Sequence, residues 1–271
     1  MTREQLNLLY QRQKWLIEAL KDAGEYRTAE RVMNCKIVEA ENSTDDNIIV
    51  NTHRNSGTQL CKVGLCPVCK WRRGLKQRFK VQDYFKEYIA GTKYEDCVYE
   101  MLTLTTPSCP LDELSETLNV MTAAFASIRG NGEPSSKAQK ERFNKAVKGT
   151  IRVWEITYNS ETKLYHPHFH ICLAITKSAK QNRNKGYYFN EQDWRKMWSD
   201  ALGQQKELQV NLEPFDNKIE NIINYGYATE LSKELPLDSD TICELMNAIK
   251  HRPNPVSTGI FRTPQKRSDG I

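Results

Sequence analysis

The sequence predicts an α+β fold in which helices flank a central antiparallel β-sheet. Tyr99–Thr105 alternates apolar and polar residues and stops before Pro107, which is typical of a strand. Gly149–Tyr158 and Leu164–Thr176 are two further strands that face each other across a short polar turn. Leu111–Ile128 carries apolar residues at helical spacing and is therefore predicted to be a helix with one face on the sheet.

Before the sheet, the sequence predicts three helices, at residues 1–24, 25–33 and 66–88. Gly24 ends the first helix, and Pro67 occupies a first helical position in the third. The polar stretch between the second and third helices is predicted as loops around one short strand, Ile48–Asn51. With its cysteines, residues 1–90 are predicted to form an N-terminal helical zinc-binding segment.

Residues 91–271 are predicted to form a second domain, which contains the sheet. After the facing strands, the patterns predict a helix, a strand and a helix at Trp194–Leu202, Leu208–Leu212 and Ile219–Leu235. The basic and polar stretch 131–148 is interpreted as an excursion from the fold. The tail from Pro253 is predicted to be irregular apart from Gly259–Arg262.

The composition is that of an ordinary globular protein, with 39% hydrophobic and 27% charged residues among 271. The sequence contains no apolar run long enough to span a membrane, and its start has no apolar core of a signal peptide. We therefore expect a cytoplasmic protein whose eight cysteines are thiols or metal ligands rather than disulfides. The net charge of +5 permits a nucleic-acid partner without requiring one.

Three of the five histidines lie within five residues, in the stretch YHPHFHI. Because residues two apart in a strand point to one face, His168 and His170 should project together. If the turn occupies residues 160–163, Asn159 pairs with Leu164 and Glu155 stands opposite His168. Two imidazoles and a carboxylate with open positions suit Mg²⁺ or Mn²⁺ acting on phosphate oxygens. His166 shares their face, but Pro167 is expected to break the strand there, which makes His166 the weaker candidate ligand.

A His-hydrophobic-His strand followed by a tyrosine on a later helix resembles the HUH endonuclease superfamily. The chain is most similar to the rolling-circle replication initiators of small bacterial plasmids. The resemblance rests on three stretches: MLTLTTPS (101–108), YHPHFHICLAI (165–175) and CKVGLCPVCKWRRGLK (61–76). It implies the HUH nuclease fold and an activity in which a tyrosine nicks single-stranded origin DNA, leaving a 5′-phosphotyrosine link and a free 3′-OH.

The resemblance places the nucleophile on the helix that follows strand Leu208–Leu212. The stretch NIINYGYATELSK contains two tyrosines, and only one can face the metal because they are two residues apart on a helix. Tyr227 fits the family's third motif best, and Tyr225 is the alternative. Glu230 lies one turn beyond Tyr227 and is a candidate base, although a solvated surface position is the slightly favoured interpretation. The glutamate that many relatives carry four residues before the tyrosine is absent, since Ile223 stands there.

Four cysteines have the spacing of a structural zinc site: Cys35, Cys61, Cys66 and Cys69. Cys35 is the least constrained of the four, and His53 is an alternative ligand in its place. The remaining cysteines are expected to be buried free thiols: Cys97, Cys109, Cys172 and Cys243.

A run of positive residues without an acid follows Cys69. Trp71, Leu75 and Phe79 recur every four residues, so that face is predicted to pack inward. The other faces would then offer five cations to DNA phosphates: Arg72, Arg73, Lys76, Arg78 and Lys80. A second, weaker basic stretch follows at residues 137–148.

The sequence thus predicts a plasmid replication initiator that nicks and rejoins DNA with Mg²⁺ or Mn²⁺ and carries a structural Zn²⁺. Its expected partners are origin DNA in single-stranded or hairpin form, a host helicase and a second copy of the chain. The helicase is expected because the sequence contains no GxxxxGK[ST] motif of its own. No membrane partner is expected. Two alternatives stay open: an HUH transposase or relaxase, and a DNA-binding regulator whose nuclease site has decayed.

Overall fold

A computed structural model describes residues 2–37, 44, 60–84, 97–131, 137–182, 186–215 and 239–262 of the chain. Within these ranges the helices are α1 Arg3–Asp22, α2 Tyr26–Met33, α3 Pro67–Tyr84, α4 Leu111–Ile128, α5 Lys137–Ala146, α6 Lys177–Gln181, α7 Glu191–Ala201 and α8 Ile242–Ile249. The strands are β1 Val98–Thr105, β2 Val147–Asn159, β3 Leu164–Ile175, β4 Val210–Pro214 and β5 Val256–Gly259.

The five strands of the described residues form one sheet in the order β4-β1-β3-β2-β5. Every pair of neighbours is antiparallel. The α+β class with a central antiparallel sheet and flanking helices is therefore confirmed. Strand β3, which carries the histidines, lies in the middle of the sheet between β1 and β2.

The β2–β3 hairpin has the predicted register, with Asn159 opposite Leu164 and Glu155 opposite His168. Residues 160–163 form the turn. The Asn159 side chain stabilises it by accepting hydrogen bonds from the backbone N–H groups of Glu161, at 2.9 Å, and Thr162, at 3.1 Å. A short turn of fixed length sets the register of the hairpin as far as Gly149, beyond which a bulge shifts it, so the pairing near the histidines could be predicted.

Pro167 does not break the strand, so that prediction was wrong. β3 is continuous from Leu164 to Ile175. The N–H and C=O of Tyr165 bond to Cys109 on the β1 side. The backbone N–H and C=O groups of residues two apart in a strand point to the same side, so the nitrogen of Pro167 also points toward β1. At that position β1 no longer pairs with β3, because the last pair between the two strands is Thr105 with His168. The proline therefore removes no hydrogen bond between β2 and β3.

The two faces of β3 have different roles. Phe169 and Ile171 are buried, as predicted, on the face that the helices cover. The Phe169 ring lies 6.4 Å from Phe125 of α4 and 6.1 Å from Trp198 of α7. This packing fixes the strand so that His168 and His170 project from the opposite face.

Several element boundaries differ from the predictions. Residues 137–146, interpreted as an excursion, form helix α5 with Phe143 buried. Helix α7 begins before Trp194, because Asn190 and Asp193 form a capping box that the apolar pattern does not show. The predicted strand Leu208–Leu212 is shifted by two residues to Val210–Pro214.

The C-terminal region contains more regular structure than predicted. Helix α8 was not predicted at all. In the tail predicted as irregular, strand β5 covers Val256–Gly259 and pairs with β2. The predicted strand Ile48–Asn51, the predicted helix Ile219–Leu235 and the last residues of the helix predicted to Tyr88 lie outside the described residues.

By its contacts the chain divides into two compact units, residues 1–74 with 230–252 and residues 75–229 with 253–271. The predicted domains, 1–90 and 91–271, stay a prediction. In the first unit, α1 packs on α2, and the buried side-chain amide of Gln13 donates hydrogen bonds to the carbonyls of Val32, at 2.5 Å, and Cys35, at 2.7 Å. In the described residues, no helix is long and apolar enough to cross a membrane.

Candidate functional site

Glu155, His168 and His170 converge on one face of the sheet. Oε2 of Glu155 lies 3.3 Å from Nε2 of His168 and 3.1 Å from Nε2 of His170. The two imidazole rings are 4.9 Å apart and nearly perpendicular. One donor atom from each of the three residues lies within 4.8 Å of the others, and each residue is half-buried. The structure thus brings together the three residues that the sequence put forward as a metal site.

Nδ1 of each imidazole has a hydrogen-bond partner, and this leaves Nε2 directed at Glu155. Nδ1 of His168 lies 3.3 Å from the carbonyl oxygen of His166, and Nδ1 of His170 lies 3.2 Å from Oγ1 of Thr103. Such partners fix the orientation and tautomer of a metal-binding histidine. Thr103 was not singled out from the sequence, although it lies in the stretch MLTLTTPS. Its contact depends on β1 lying beside β3, which local patterns do not reveal.

Glu155 is held in its charged form. Hydrogen bonds from the two histidines, the larger effect coming from His168 and the smaller from His170, keep the pKa of this carboxyl well below its usual range. The backbone next to Glu155 is also held in place. The Asn254 side chain accepts a hydrogen bond from the backbone N–H of Trp154, at 3.1 Å, and donates one to the Trp154 carbonyl, at 3.0 Å. A carboxylate and two imidazole nitrogens are a donor set that fits Mg²⁺ or Mn²⁺.

His166 lies beside this group without belonging to it. Its ring is 5.7 Å from that of His168, and burial lowers the pKa of His166. The compact donor group contains Glu155, His168 and His170 only, among the described residues. The sequence-based ranking of His166 as the weaker candidate agrees with this geometry, although the proposed strand break does not.

The candidate nucleophiles cannot be placed relative to the histidines. Tyr225, Tyr227 and Glu230 all lie outside the described residues. Their roles therefore stay predictions from the sequence.

The four cysteines Cys35, Cys61, Cys66 and Cys69 form a second compact group. All four are buried, and their sulfur atoms lie within 4.8 Å of one another. Sγ of Cys69 is 3.5 Å from that of Cys35 and 3.4 Å from that of Cys61. The loop that carries Cys61 is held by Arg31, whose guanidinium donates to the Cys61 carbonyl. His53, the alternative ligand, lies outside the described residues.

The pKa values of two of these thiols are shifted in opposite directions. Hydrogen bonds with Cys35, Cys61 and Cys66 lower the pKa of Cys69, whereas hydrogen bonds with Cys35, Cys61 and Cys69 raise the pKa of Cys66. Four thiolates this close repel one another unless a cation lies between them. A buried four-sulfur cluster is the donor set of a closed structural Zn²⁺ site, and these residues fit it.

The inward face of α3 differs from the prediction. Phe79 is 47% exposed, and Trp71 and Leu75 are only half-buried, whereas Val68 and Gly74 are buried. The prediction of an inward Trp71–Leu75–Phe79 face was therefore wrong. Cys66 and Cys69 lie in the sulfur cluster, so their position sets the rotation of the helix. Apolar spacing alone does not contain that constraint.

The candidate DNA-binding cations of α3 differ in exposure. Arg73 and Lys76 are exposed, and Arg72 is half-buried. The side chains of Arg78 and Lys80 lie outside the described residues. In the second basic stretch, Arg142 has a structural role, because it donates to Asp193 at 2.9 Å and lies 4.0 Å from the centre of the Phe189 ring.

The remaining four cysteines are free thiols. Cys97, Cys109 and Cys172 are buried as predicted, whereas Cys243 is only partly buried.

Comparison with known proteins connects this arrangement to DNA replication. The profile of the replication protein family matches residues 52–269. Protein rep of Staphylococcus aureus is 31% identical over 153 residues, which cover 56% of this chain and 61% of the relative. Proteins of the same name from Streptococcus pneumoniae serotype 2 and Bacillus amyloliquefaciens are 30% and 32% identical over 143 residues, which cover 53% of this chain.

These matches leave part of each relative without a counterpart. The aligned region spans 61%, 41% and 38% of the lengths of the three relatives. No solved structure matches the chain.

Proposed function

Because this chain belongs to the replication protein family, we propose that it initiates rolling-circle replication of a plasmid by nicking one strand of the origin DNA. The observation that carries the proposal is the group formed by Glu155, His168 and His170, with both Nε2 atoms within 3.3 Å of one carboxylate oxygen. A divalent cation held by such a group would assist phosphoryl transfer, a reaction that DNA binding alone does not involve.

These three residues would hold a divalent cation. Thr103 and the carbonyl of His166 orient the two imidazoles, so the donor atoms are positioned before a cation arrives. When bound, Mg²⁺ or Mn²⁺ supplies positive charge to the non-bridging oxygens of a phosphodiester. This help is needed because a tyrosine hydroxyl, with an ordinary pKa of about 10, is a poor nucleophile at neutral pH.

The reaction transfers a phosphoryl group to the protein. The phenol oxygen of Tyr227, or of Tyr225 as the alternative, bonds to the phosphorus of the scissile phosphodiester as its proton leaves. The bond from phosphorus to the 3′ oxygen breaks, and that oxygen takes up a proton to become a 3′-OH. The 5′ phosphate stays joined to the tyrosine until the reverse reaction rejoins the strand. Glu230 is the candidate base for the phenol.

The substrate in this proposal is origin DNA, single-stranded or extruded as a hairpin. Arg73 and Lys76 expose their charges on α3 and would contact its phosphates, together with Arg72, Arg78 and Lys80. Unwinding would fall to a host helicase, and the reaction would take place in the cytoplasm, where plasmid DNA is found.

The direct test is a denaturing gel of the purified chain with labelled single-stranded origin DNA and Mn²⁺. We expect a covalent protein–DNA band that disappears with EDTA and in Tyr227→Phe, while Tyr225→Phe serves as the matched control. A band retained by Tyr227→Phe and lost in Tyr225→Phe would transfer the role to Tyr225. DNA binding without any band from the unmodified chain would refute nicking and favour the regulator alternative. Joining of two different DNA ends would favour a transposase or relaxase.

A further inference from the structure

Two arginines on the helix-covered side of the sheet have no acidic partner among the described residues. Arg152 of β2 pairs with Ile171, so its side chain is on the face opposite Glu155 and the histidines. Arg129 follows the last residue of α4. Among the residues that the structure describes, no carboxylate forms an ion pair with either guanidinium.

Both guanidiniums lie beside the ring of Phe125. The Cζ atoms of Arg129 and Arg152 each lie 5.9 Å from the centre of the Phe125 ring, and that of Arg152 lies 4.5 Å from the centre of Phe169. Cation–π contacts of this kind offset only part of the cost of removing a charge from water. Two like charges beside one ring also repel each other.

The burial of these charges is substantial. Arg152 is only 9% exposed, and the buried Nε of Arg129 has no hydrogen-bond partner. Burial and, second, the neighbouring charge of Arg129 lower the pKa of Arg152 to about 10. A buried cation without a counterion is costly, so an arrangement of two is expected where an anion binds.

Arg129 and Arg152 are not needed to satisfy the carbonyl groups at the C-terminal end of α4. The last carbonyls of this helix already accept from backbone N–H groups of residues 129–131 and from the Gln139 side chain, at 2.8–3.2 Å. The C-terminal end of a helix carries only about half a negative charge, against two full positive charges here. The pair therefore retains unmatched positive charge after the helix is accounted for.

We infer that Arg129 and Arg152 form an oxyanion site that binds a phosphate group, separate from the Glu155–His168–His170 group and on the other face of the sheet. Guanidinium groups bind phosphate oxygens with two parallel hydrogen bonds, which would satisfy the free Nε of Arg129. The assignment of this phosphate to the backbone of DNA rests on the proposed function. The presence of the oxyanion site does not.

The test measures binding of a labelled single-stranded 12-mer to the full chain in EDTA, so that nicking has no influence on the result. We expect Arg129→Gln and Arg152→Gln each to weaken binding by about 3- to 10-fold, and to reduce the slope of log affinity against log salt by about 0.7, the value for one lost phosphate contact. Arg27→Gln, which removes an exposed arginine of α2, is the matched control and should leave both quantities unchanged.

Circular dichroism first establishes that each variant is folded, and if Arg152→Gln is not, the partly exposed Arg129→Gln decides alone. DNA affinity and salt slope equal to those of Arg27→Gln, together with inorganic phosphate binding equal to that of the unmodified chain, would overturn the inference. Unchanged DNA binding, together with loss of inorganic phosphate binding measured by calorimetry, would overturn the assignment to DNA and leave a small phosphate as the ligand. Nicking fails or succeeds separately in the Mn²⁺ gel, so the two proposals can be told apart.

Discussion

Thr103 shows how one hydroxyl group prepares the candidate metal site. Its Oγ1 lies 3.2 Å from Nδ1 of His170 and leaves Nε2 of that ring facing the Glu155 carboxylate. His168 has a backbone carbonyl in the equivalent position, which no substitution of a side chain removes. Thr103 is therefore the place where orientation of a histidine can be tested without removing a ligand.

We predict that Thr103→Val weakens Mn²⁺ binding by about 10- to 100-fold, because the imidazole of His170 loses its orienting partner. Thr103→Ser keeps the hydroxyl group and should bind Mn²⁺ like the unmodified chain. Isothermal calorimetry of the three proteins makes the comparison. Equal affinities of the valine and serine variants would show that Thr103 only fills space.

At the residue scale, the pairing of Glu155 with the two histidines could be predicted, and their supports could not. The predicted turn at residues 160–163 fixes which residues of β2 and β3 face each other, so the three candidate ligands follow from local sequence. Thr103 becomes a neighbour of His170 only through the order of strands in the sheet. Strand order depends on distant parts of the chain and leaves no local pattern.

At the scale of elements, α3 shows how a cluster of ligands can override apolar spacing. The sequence indicated an inward face at Trp71, Leu75 and Phe79, yet Phe79 is 47% exposed. Cys66, which directly precedes the helix, and Cys69 in its first turn instead lie against Cys35 and Cys61, and this sulfur cluster decides the rotation of the helix. The cysteine motif and the apolar pattern gave conflicting indications, and the cysteine motif was the correct one.

We predict that Cys69→Ser reduces the zinc content of the purified chain from about one ion to nearly none, because a closed structural site needs all four ligands. The melting temperature should fall with it, since zinc bound to the folded state stabilises that state. Cys243→Ser, which changes a partly buried free thiol, is the control and should retain the ion. Zinc retained at full stoichiometry by Cys69→Ser would contradict the four-cysteine site.

The histidine strand illustrates the opposite case, in which a local rule failed because its context was unknown. Proline is usually excluded from a central strand, and Pro167 was expected to end β3. Its nitrogen faces a stretch where β1 no longer pairs with β3, so the rule does not apply there. His166 therefore stays in line with His168 and His170 on the face of the candidate site.

At the scale of the whole molecule, the positive charge is concentrated in particular places and is not reflected in the net charge. The net charge is only +5, yet exposed cations lie on α3, and two arginines without an acidic partner among the described residues lie on the helix-covered face of the sheet. Composition alone could not indicate these two groups of cations, because acidic residues elsewhere balance most of the positive charge. The family match across residues 52–269 agrees with the fold and function class that the histidine motif had suggested.

We propose that Glu155, His168 and His170 bind a divalent cation beside the nucleophilic tyrosine. A crystal structure of the chain soaked in Mn²⁺, measured at the manganese absorption edge, would show this cation. We expect an anomalous peak in contact with Oε2 of Glu155 and Nε2 of both histidines, with the hydroxyl of Tyr227 or Tyr225 facing it. No peak at these three atoms at saturating Mn²⁺, or a peak with both tyrosines directed away from it, would refute this proposal.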